Sequence, residues 1–448
     1  MKPTAKNFGV LVLILCGAFL SAPYGYCQEG NTNTVIGLSL DDAINLAFKN
    51  NRDIQIQEQE VKIARANILE AIGKFLPNIN LDGSYTYNDK LLAENIFSGY
   101  SNDNLVKFSL NESIYNGGEN IAGFKQAKLG LRVNEETLRA RKLDIVFEIK
   151  RLYYGLLLGL ENERIAQDLV SQAQSHYEDV KKKFEQGTSS KFDLLQSKVQ
   201  VSKLMPELIK AKNAVDLIAA QLKKILGLKM QDSLKPQDKL LYSLIEIKEE
   251  EFLKQAYLNK PEMNLKALGI DIKKWAIEMA KAGWRPQVNA GLSYSYRSND
   301  PGDMFNNRHS NWNAGFSVAI PIFDGFSTKA KVDQAASRYR EATLEKEDLT
   351  EQIAVDIREA CLDLKQAQAI IDSSKDNIEE AREALMIAGV SYDNGEGTNL
   401  DVLDAQVSLS QIEKNLSEAI YDYIMAGAFL DRTIGQGYLQ EAKNEKKD

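Results

Sequence analysis

The sequence predicts a mainly α-helical protein that is built twice from one unit, with a few amphipathic β-strands of membrane-spanning length. Three observations support this fold class. First, similar sequence segments are repeated at a constant offset. Second, proline-free stretches at 119–184 and 327–392 follow each pair of predicted strands. Third, the strands alternate strictly between apolar and polar residues. Together they indicate two long antiparallel helical hairpins, each attached to two strands.

The N-terminus has the pattern of a secretory signal peptide, which we assign to residues 1–27. Lysines precede an apolar run from Val10 to Leu20, and small residues follow it. The run is too short to span a membrane as a retained helix, so we expect cleavage rather than an uncleaved anchor. Lipidation of Cys27 is an alternative, although the residues before it are a poor context for it.

Composition excludes several classes of function. The chain has 63 acidic and 55 basic residues, a net charge of -8 and a pI near 5.3, which argues against a nucleic-acid partner. The two histidines, His176 and His309, form no cluster with metal-ligand spacing, and no catalytic triad or phosphate-binding loop is present in the sequence. We therefore expect no enzyme activity and no cofactor, and we interpret His176 as a packing or solvated residue.

The duplication is in tandem. The phrase "FEQGTSSKFDLLQSKVQVS" (184–202) matches "YDNGEGTNLDVLDAQVSLS" (392–410) at an offset of 208 throughout. A constant offset over such a span indicates a repeated structural unit. We assign repeat 1 to residues 28–238 and repeat 2 to residues 239–448.

Each copy is predicted to run helix, strand, loop, strand, long helix, second helix. In the first copy we predict a helix at Ser39–Gly73, strands at 77–87 and 105–115, and helices at 119–184 and 191–226. In the second copy we predict strands at 288–297 and 312–323 and helices at 327–392 and 399–434. At about 1.5 Å per residue each long helix extends about 100 Å, and such a helix needs coiled-coil-like neighbours.

The strands have the length and pattern of tilted membrane strands. Apolar residues such as Ile79 and Leu81 alternate with polar ones, and aromatic residues such as Tyr87, Tyr296 and Trp312 lie near the loops. Four strands cannot close a barrel, and an open sheet edge is unfavourable in lipid because its backbone groups stay unpaired. Other copies of the chain must therefore complete the sheet. A soluble four-stranded sheet over helices is the alternative, but it does not explain an export signal.

This pattern resembles the TolC-like outer-membrane efflux family. The phrases that carry the resemblance are "FLPNINLDGSYTY" (75–87), "WRPQVNAGLSYSY" (284–296), "IPIFDGF" (320–326) and, most specifically, "YDNGEGTNLDVLDAQVSL" (392–409). The resemblance implies a homotrimer in which three sets of four strands form one 12-stranded β-barrel. It also implies that the helices continue as an α-barrel across the periplasm.

By this resemblance the protein is an outer-membrane exit channel of an efflux or secretion system. Its implied partners are outer-membrane lipid, a periplasmic adaptor protein and an inner-membrane transporter. The sequence departs from the family at two turn positions: Ser113 stands where the second copy has Pro321, and Phe326 stands where many members have a second glycine. We expect these departures to change local turns and not the fold.

Candidate gate residues lie at the hairpin tips. Asp193, Asp401 and Asp404 follow the turns, where capping of the helix N-terminus explains a carboxylate in part. The resemblance places Asp401 and Asp404 at the periplasmic constriction, where rings of carboxylates favour cations. It also places Tyr392 where a tyrosine helps to latch the closed tip, while an arginine of some members is Gly397 here. We predict that Asp401, Asp404, Asp193 and Tyr392 act in gating or selectivity.

The turns themselves are candidate docking sites for the adaptor. Gly187 and Thr188 form the first tip and Gly395 and Thr398 the second, and the glycines also act as ordinary helix stops. Two other classes of protein remain open at this point, a periplasmic coiled-coil adaptor and a structural filament without a pore. Neither class needs four amphipathic strands that end in aromatic residues.

Overall fold

The computed structural model describes residues 35–87 and 102–436. The predicted signal peptide, Cys27 and most of the first strand-connecting loop lie outside these residues. The strands are β1 (Val35–Leu38), β2 (Asn78–Tyr87), β3 (Asn102–Asn116), β4 (Ser233–Pro236), β5 (Gln287–Ser298) and β6 (Ser310–Ala319). The α-helices are α1 (Leu40–Asn50), α2 (Arg52–Gly73), α3 (Glu119–Glu185), α4 (Lys191–Leu226), α5 (Glu249–Asn259), α6 (Pro261–Lys281), α7 (Ser327–Asp393) and α8 (Asn399–Ile434).

Three of the four pairs of corresponding helices in the described residues have equal lengths, and α2 and α6 differ by one residue, with 22 and 21. The long helices α3 and α7 each contain 67 residues, α4 and α8 each contain 36, and α1 and α5 each contain 11. A short turn connects each long helix to its shorter antiparallel partner. The predicted antiparallel hairpins and the predicted duplication are therefore confirmed. The repeat bounds at 238 and 239 stay a prediction.

The helix predicted at Ser39–Gly73 is two helices, and the prediction of one continuous helix was wrong. Asn51 ends α1 and caps α2, since its side-chain oxygen accepts hydrogen bonds from the N–H groups of Asp53 and Ile54 at 2.9 and 3.2 Å. Its amide nitrogen donates to the carbonyl of Ile225 at 2.8 Å. The break therefore joins the first helix pair to the end of α4.

The last strand also ends earlier than predicted, at Ala319 instead of Phe323. Pro321 has no N–H to donate to a sheet ladder, and Gly325 and Phe326 both adopt left-handed backbone conformations with φ of 66° and 67°. The chain therefore turns into α7 directly after the strand. The short parallel pair of β1 and β4 was not predicted.

The four long strands form one antiparallel sheet in the order β2-β3-β5-β6. One row of paired positions across the sheet is apolar, and the neighbouring row is polar. The apolar row is Leu81, Phe108, Tyr294 and Trp312; the polar row is Asn80, Ser109, Ser293 and Asn313. The sheet therefore has one apolar and one wet face, and β2 and β6 are its edges.

The helices lie side by side, and their order differs between two levels along the long axis of the molecule. Next to the sheet the order is α2-α3-α6-α7, and towards the hairpin tips it is α4-α3-α8-α7. The long helix α3 thus contacts helices of both copies, while α7 lies at one flank and α2 and α4 lie at the other. Among residues 35–87 and 102–436, no helix combines the length and apolar character needed to cross a membrane.

Each copy has its own apolar core where its first helix meets its long hairpin. In the first copy Ile149 and Tyr153 of α3 pack with Leu222 and Leu226 of α4. The core of the second copy is formed in the same way by α5, α7 and α8. Ion pairs of Arg432 in α8 connect the two copies.

The guanidinium of Arg432 contacts Asp144 of α3 at 2.6 Å and Glu262 of α6 at 2.9 Å. This cross-copy ion-pair group holds the two hairpins together at the level of the cores.

Candidate functional site at the hairpin tips

The first tip is a tight turn closed by backbone and side-chain hydrogen bonds. Gly187 has a φ of +77°, which favours glycine, and it ends α3. The N–H and hydroxyl of Thr188 both donate to the carbonyl of Lys183, at 2.8 and 3.0 Å. Ser190 then caps α4, where its hydroxyl accepts from the N–H of Asp193 at 3.1 Å and the Asp193 carboxylate accepts from the Ser190 hydroxyl at 2.6 Å.

The second tip repeats this geometry with other residues. Gly395 has a φ of +78°, and Thr398 caps α8. The Thr398 hydroxyl accepts from the N–H of Asp401 at 3.2 Å, while the Asp401 carboxylate accepts from the N–H and hydroxyl of Thr398 at 2.8 and 2.6 Å. The hydroxyl and then the backbone N–H of Thr398 hold the pKa of the Asp401 carboxyl below its ordinary value. Asp401 is therefore a charged group throughout the neutral range.

The three predicted carboxylates differ in what they contact. Asp193 and Asp401 both close capping boxes, so the capping role expected in part is present at both. Asp404 lies one turn after Asp401 and is exposed. In the described part of the chain Asp404 has no hydrogen bond or ion pair, so no local structural role accounts for its charge.

Tyr392 lies at the contact between the two hairpins. The ammonium of Lys183, from α3 of the first copy, lies 4.2 Å from the centre of its ring and also pairs with Asp393 at 2.9 Å. The ring of His176 meets the Tyr392 ring edge-on at 5.3 Å. A cation over an aromatic face is attractive, so Tyr392 joins α7 to α3. Gly397 brings no side chain to this contact.

Sequence reasoning missed part of this contact. His176 was predicted to be a packing or solvated residue, and the sequence did not identify what it packs against. Its Nε2 lies 2.7 Å from the side-chain oxygen of Asn399, and the Asn399 amide donates to Gln196 at 3.0 Å. Lys183 was not singled out either. The sequence indicated this contact only through the positions of the two residues: Lys183 lies in the last turn of one predicted helix, and Asn399 is the first residue of another.

Among residues 35–87 and 102–436, no group of three or more His, Cys, Asp or Glu side chains is placed to hold a metal ion. The second histidine, His309, lies in the turn between β5 and β6, 3.2 Å from Asp303. The site at the tips is thus a set of exposed carboxylates beside an inter-hairpin polar contact. Such an arrangement can attract cations and can hold two hairpins together.

Comparison with known proteins finds matches that cover most of both copies. The family model for outer membrane efflux protein matches residues 43–228 and 252–436, once in each copy. The alkaline protease secretion protein AprF of Pseudomonas aeruginosa is 21% identical over 430 residues, covering 91% of this chain and 86% of AprF. The outer membrane protein TolC of Vibrio cholerae serotype O1 is 21% identical over 424 residues, covering 93% and 94%.

Among solved structures, the CmeC outer membrane channel of Campylobacter jejuni superposes with a TM-score of 0.79 at 19% identity. The superposition covers 91% of this chain and 88% of that channel. At this level of identity the likeness shows a shared fold.

Proposed function

Because the chain belongs to the outer membrane efflux protein family and is an outer-membrane channel for efflux or secretion, we propose that it works as a homotrimer. In this proposal it receives substrates passively from an inner-membrane transporter through a periplasmic adaptor protein. It releases them outside the cell and catalyses no reaction. The predicted signal peptide at residues 1–27 would direct it to export, and repeats 28–238 and 239–448 would each supply one hairpin.

One observation supports the proposed trimer: both edges of the sheet are unpaired within the described part of the chain. β2 and β6 each pair on one side only, so one edge of each carries backbone groups that no strand of the same chain meets in the described residues. Unpaired backbone groups are unfavourable in lipid. In the proposed trimer β6 of one copy pairs with β2 of the next, and 12 strands close a barrel. The apolar row with Leu81 and Trp312 then faces lipid, and the polar row with Asn80 and Asn313 faces the channel.

The hairpin tips would form the periplasmic gate. Around a threefold axis Asp401 and Asp404 each give a ring of three carboxylates, and Asp193 gives a third ring near them. Rings of like charge concentrate cations at a narrow pore. Tyr392 would hold the closed state through its contact with Lys183.

The turns would bind the adaptor. A side chain built at Gly187 or Gly395 meets no atom within 4 Å, whereas the glycines that end α4 and α8 pack against backbone. Thr188 and Thr398 lie near these open positions, and both are exposed. A partner can therefore approach both turns.

The proposal is tested by purifying the full chain in mild detergent and measuring its mass and its conductance in planar bilayers. We expect a trimer that resists dodecyl sulfate until heated and conducts ions. An adaptor or a filament would give no conductance, and a monodisperse monomer with intact β-signal would contradict the proposal.

A further inference from the structure

The wet face of the sheet contains a flat area without side chains. Gly291 of β5 lies directly opposite Gly315 of β6 in the register, and we call these two residues the glycine pair. Neither has a positive φ, and a Cβ built at Gly315 meets no atom within 4 Å. Backbone conformation and packing therefore do not require glycine at 315. A glycine inside a strand weakens the strand and often marks a place where another group approaches the backbone closely.

The glycine pair is the floor of a cleft of about 970 Å³ between the sheet and the end of α2. We call it the glycine cleft. Its volume is in the range of ligand sites in proteins. Asparagine and serine side chains of the wet face form its polar walls, namely Asn78, Ser109, Asn111, Asn289, Ser293 and Asn313.

The carboxamides of the glycine cleft are available to a ligand. Asn78, Asn111 and Asn289 are exposed, and their side chains form no hydrogen bond with any described residue. The hydroxyl of Ser293 donates to the side-chain oxygen of Asn313 at 3.1 Å, which leaves the Asn313 amide nitrogen without an acceptor in the described part of the chain. Each carboxamide has two N–H donors and an acceptor oxygen. The glycine cleft therefore offers donors and acceptors side by side.

The charges around the glycine cleft balance. Its charged lining residues are Glu70, Lys74, Lys107 and Glu112, two of each sign. Asp82 also lies opposite Lys107 in the register, which lowers the net positive field at this lysine. Moving an ion out of water is costly unless an opposite charge compensates it. A site without net charge therefore favours an uncharged polar ligand.

An uncharged solute with many hydroxyl groups satisfies these conditions. Each hydroxyl both donates and accepts a hydrogen bond, as the carboxamides require, and the C–H face of a sugar ring can lie flat on the glycine pair. We propose that the glycine cleft binds a neutral oligosaccharide as it passes through the channel. This inference rests on the proposed function, because the wet face lines a channel only in the closed trimeric barrel. Three copies of the chain then place three clefts around the channel.

The ion current through single trimers measures this binding, because a sugar held in the channel displaces ions. The full chain is reconstituted in planar bilayers, and maltotetraose or cellotetraose is added on the side of the turn between β5 and β6. We expect brief interruptions of the current whose frequency rises with sugar concentration. Tetragalacturonate has the same number of sugar units but carries four carboxylates, and we expect it to bind at least tenfold more weakly.

Two variants remove separate parts of the glycine cleft. Gly315→Val covers the floor with a side chain that strands favour and that has free space, so the trimer should remain as stable as the wild type. Asn111→Leu keeps a similar size and removes a carboxamide. We expect each variant to weaken binding of the neutral tetrasaccharides about tenfold and to conduct ions as the wild type does without sugar. Asn311→Leu is the matched control, since Asn311 lies on the same face of β6 outside the cleft, and its sugar binding should be unchanged.

The outcomes separate this inference from the proposed function. A conducting trimer whose current neither neutral tetrasaccharide interrupts would overturn the inference and leave the channel intact. Interruptions that stay unchanged in Gly315→Val and Asn111→Leu would show that sugar binds elsewhere and that the glycine cleft is not the site. Tighter binding of tetragalacturonate than of maltotetraose would overturn the assignment to a neutral sugar. A chain that forms neither trimers nor conducting channels would overturn the proposed function and this inference with it.

Discussion

The imidazole Nε2 of His176 lies 2.7 Å from the side-chain oxygen of Asn399, which ties the long helix of the first copy to the last helix of the second. Asn399 is almost fully buried, and its amide nitrogen donates to Gln196 at 3.0 Å. Because this donation orients the amide, the Asn399 oxygen faces His176 and accepts a hydrogen bond in the tautomer that carries its proton on Nε2. Three side chains thus connect α3, α8 and α4 next to the tips.

We expect His176→Ala to loosen the closed tips. Loss of one buried hydrogen bond destabilises a state by about 1 kcal/mol, so the open fraction of single channels should rise about fivefold. Planar-bilayer recording measures this. His309→Ala removes the exposed histidine of the strand-connecting turn and should leave gating as in the wild type. Equal behaviour of both variants would show that the His176 contact does not restrain the gate.

We expect Asp401→Ala with Asp404→Ala to reduce the preference for cations and the block by multivalent cations together. Both changes follow from removing two rings of carboxylates from the narrow end. Asp404→Ala alone should retain the α8 cap, since only Asp401 bonds to Thr398. Reversal potentials in a salt gradient give the selectivity. Unchanged selectivity and block would leave Asp401 with a capping role only.

The contribution of Asp401 to the cation preference should persist to low pH. Hydrogen bonds from Thr398 lower the pKa of Asp401 in the folded protein relative to the unfolded protein. The charged cap therefore stabilises the folded protein above the unfolded pKa. This stabilisation is lost only as the pH falls through the lower pKa of the folded protein. The loss should therefore begin below the ordinary titration range of an aspartate. Thr398→Val removes the hydroxyl donor and should shift the loss of selectivity to higher pH.

We expect Arg432→Met to destabilise the protein by about 2 kcal/mol, because it leaves Asp144 and Glu262 half-buried without their cation. Lys150→Met is the matched control. Its pair with Asp431, the residue before Arg432, is more exposed at the carboxylate, so we expect a loss of about 0.5 kcal/mol. Guanidinium unfolding midpoints compare the two. Similar midpoints would contradict a structural role for the Arg432 group.

Two glycines with the same backbone conformation should respond differently to alanine. Gly395 and Gly435 have φ of +78° and +74°, but a Cβ at Gly435 would lie 2.6 Å from the carbonyl oxygen of Asn259, while one at Gly395 has free space. Gly395→Ala should lower stability by about 1 kcal/mol through backbone strain alone. Gly435→Ala should lower it further, measured by thermal unfolding. A smaller effect at Gly435 would contradict the packing of α8 on the α5–α6 junction.

The turn between β5 and β6 should face the outside of the cell. Asn306→Cys in this exposed turn should react with a membrane-impermeant maleimide in intact cells. Glu396→Cys at the second tip should react only after the outer membrane is ruptured, because about 100 Å of helix separates the two ends. Protection of Asn306→Cys in intact cells would reverse the proposed orientation.

Local signals were enough to predict most element bounds. Helix α4 begins at Lys191 and ends at Leu226 as predicted, because Ser190 caps its start and a left-handed Gly227 ends it. The long strands were likewise predicted from their alternation. These features depend on residues within a few positions of each other, so a single sequence carries them.

What the sequence by itself determined was therefore the four long strands, the two long helical hairpins, the duplication and the carboxylates at the tips. Only the tertiary structure decided that His176 meets Asn399, that Asn51 divides the first helix while bonding to Ile225, and that Arg432 joins the two copies. Each of these contacts joins residues far apart in the chain. The contacts of His176 and Arg432 depend on how the two hairpins pack, and the contact of Asn51 with Ile225 depends on how the first helix pair packs on the end of α4. No local periodicity encodes either packing.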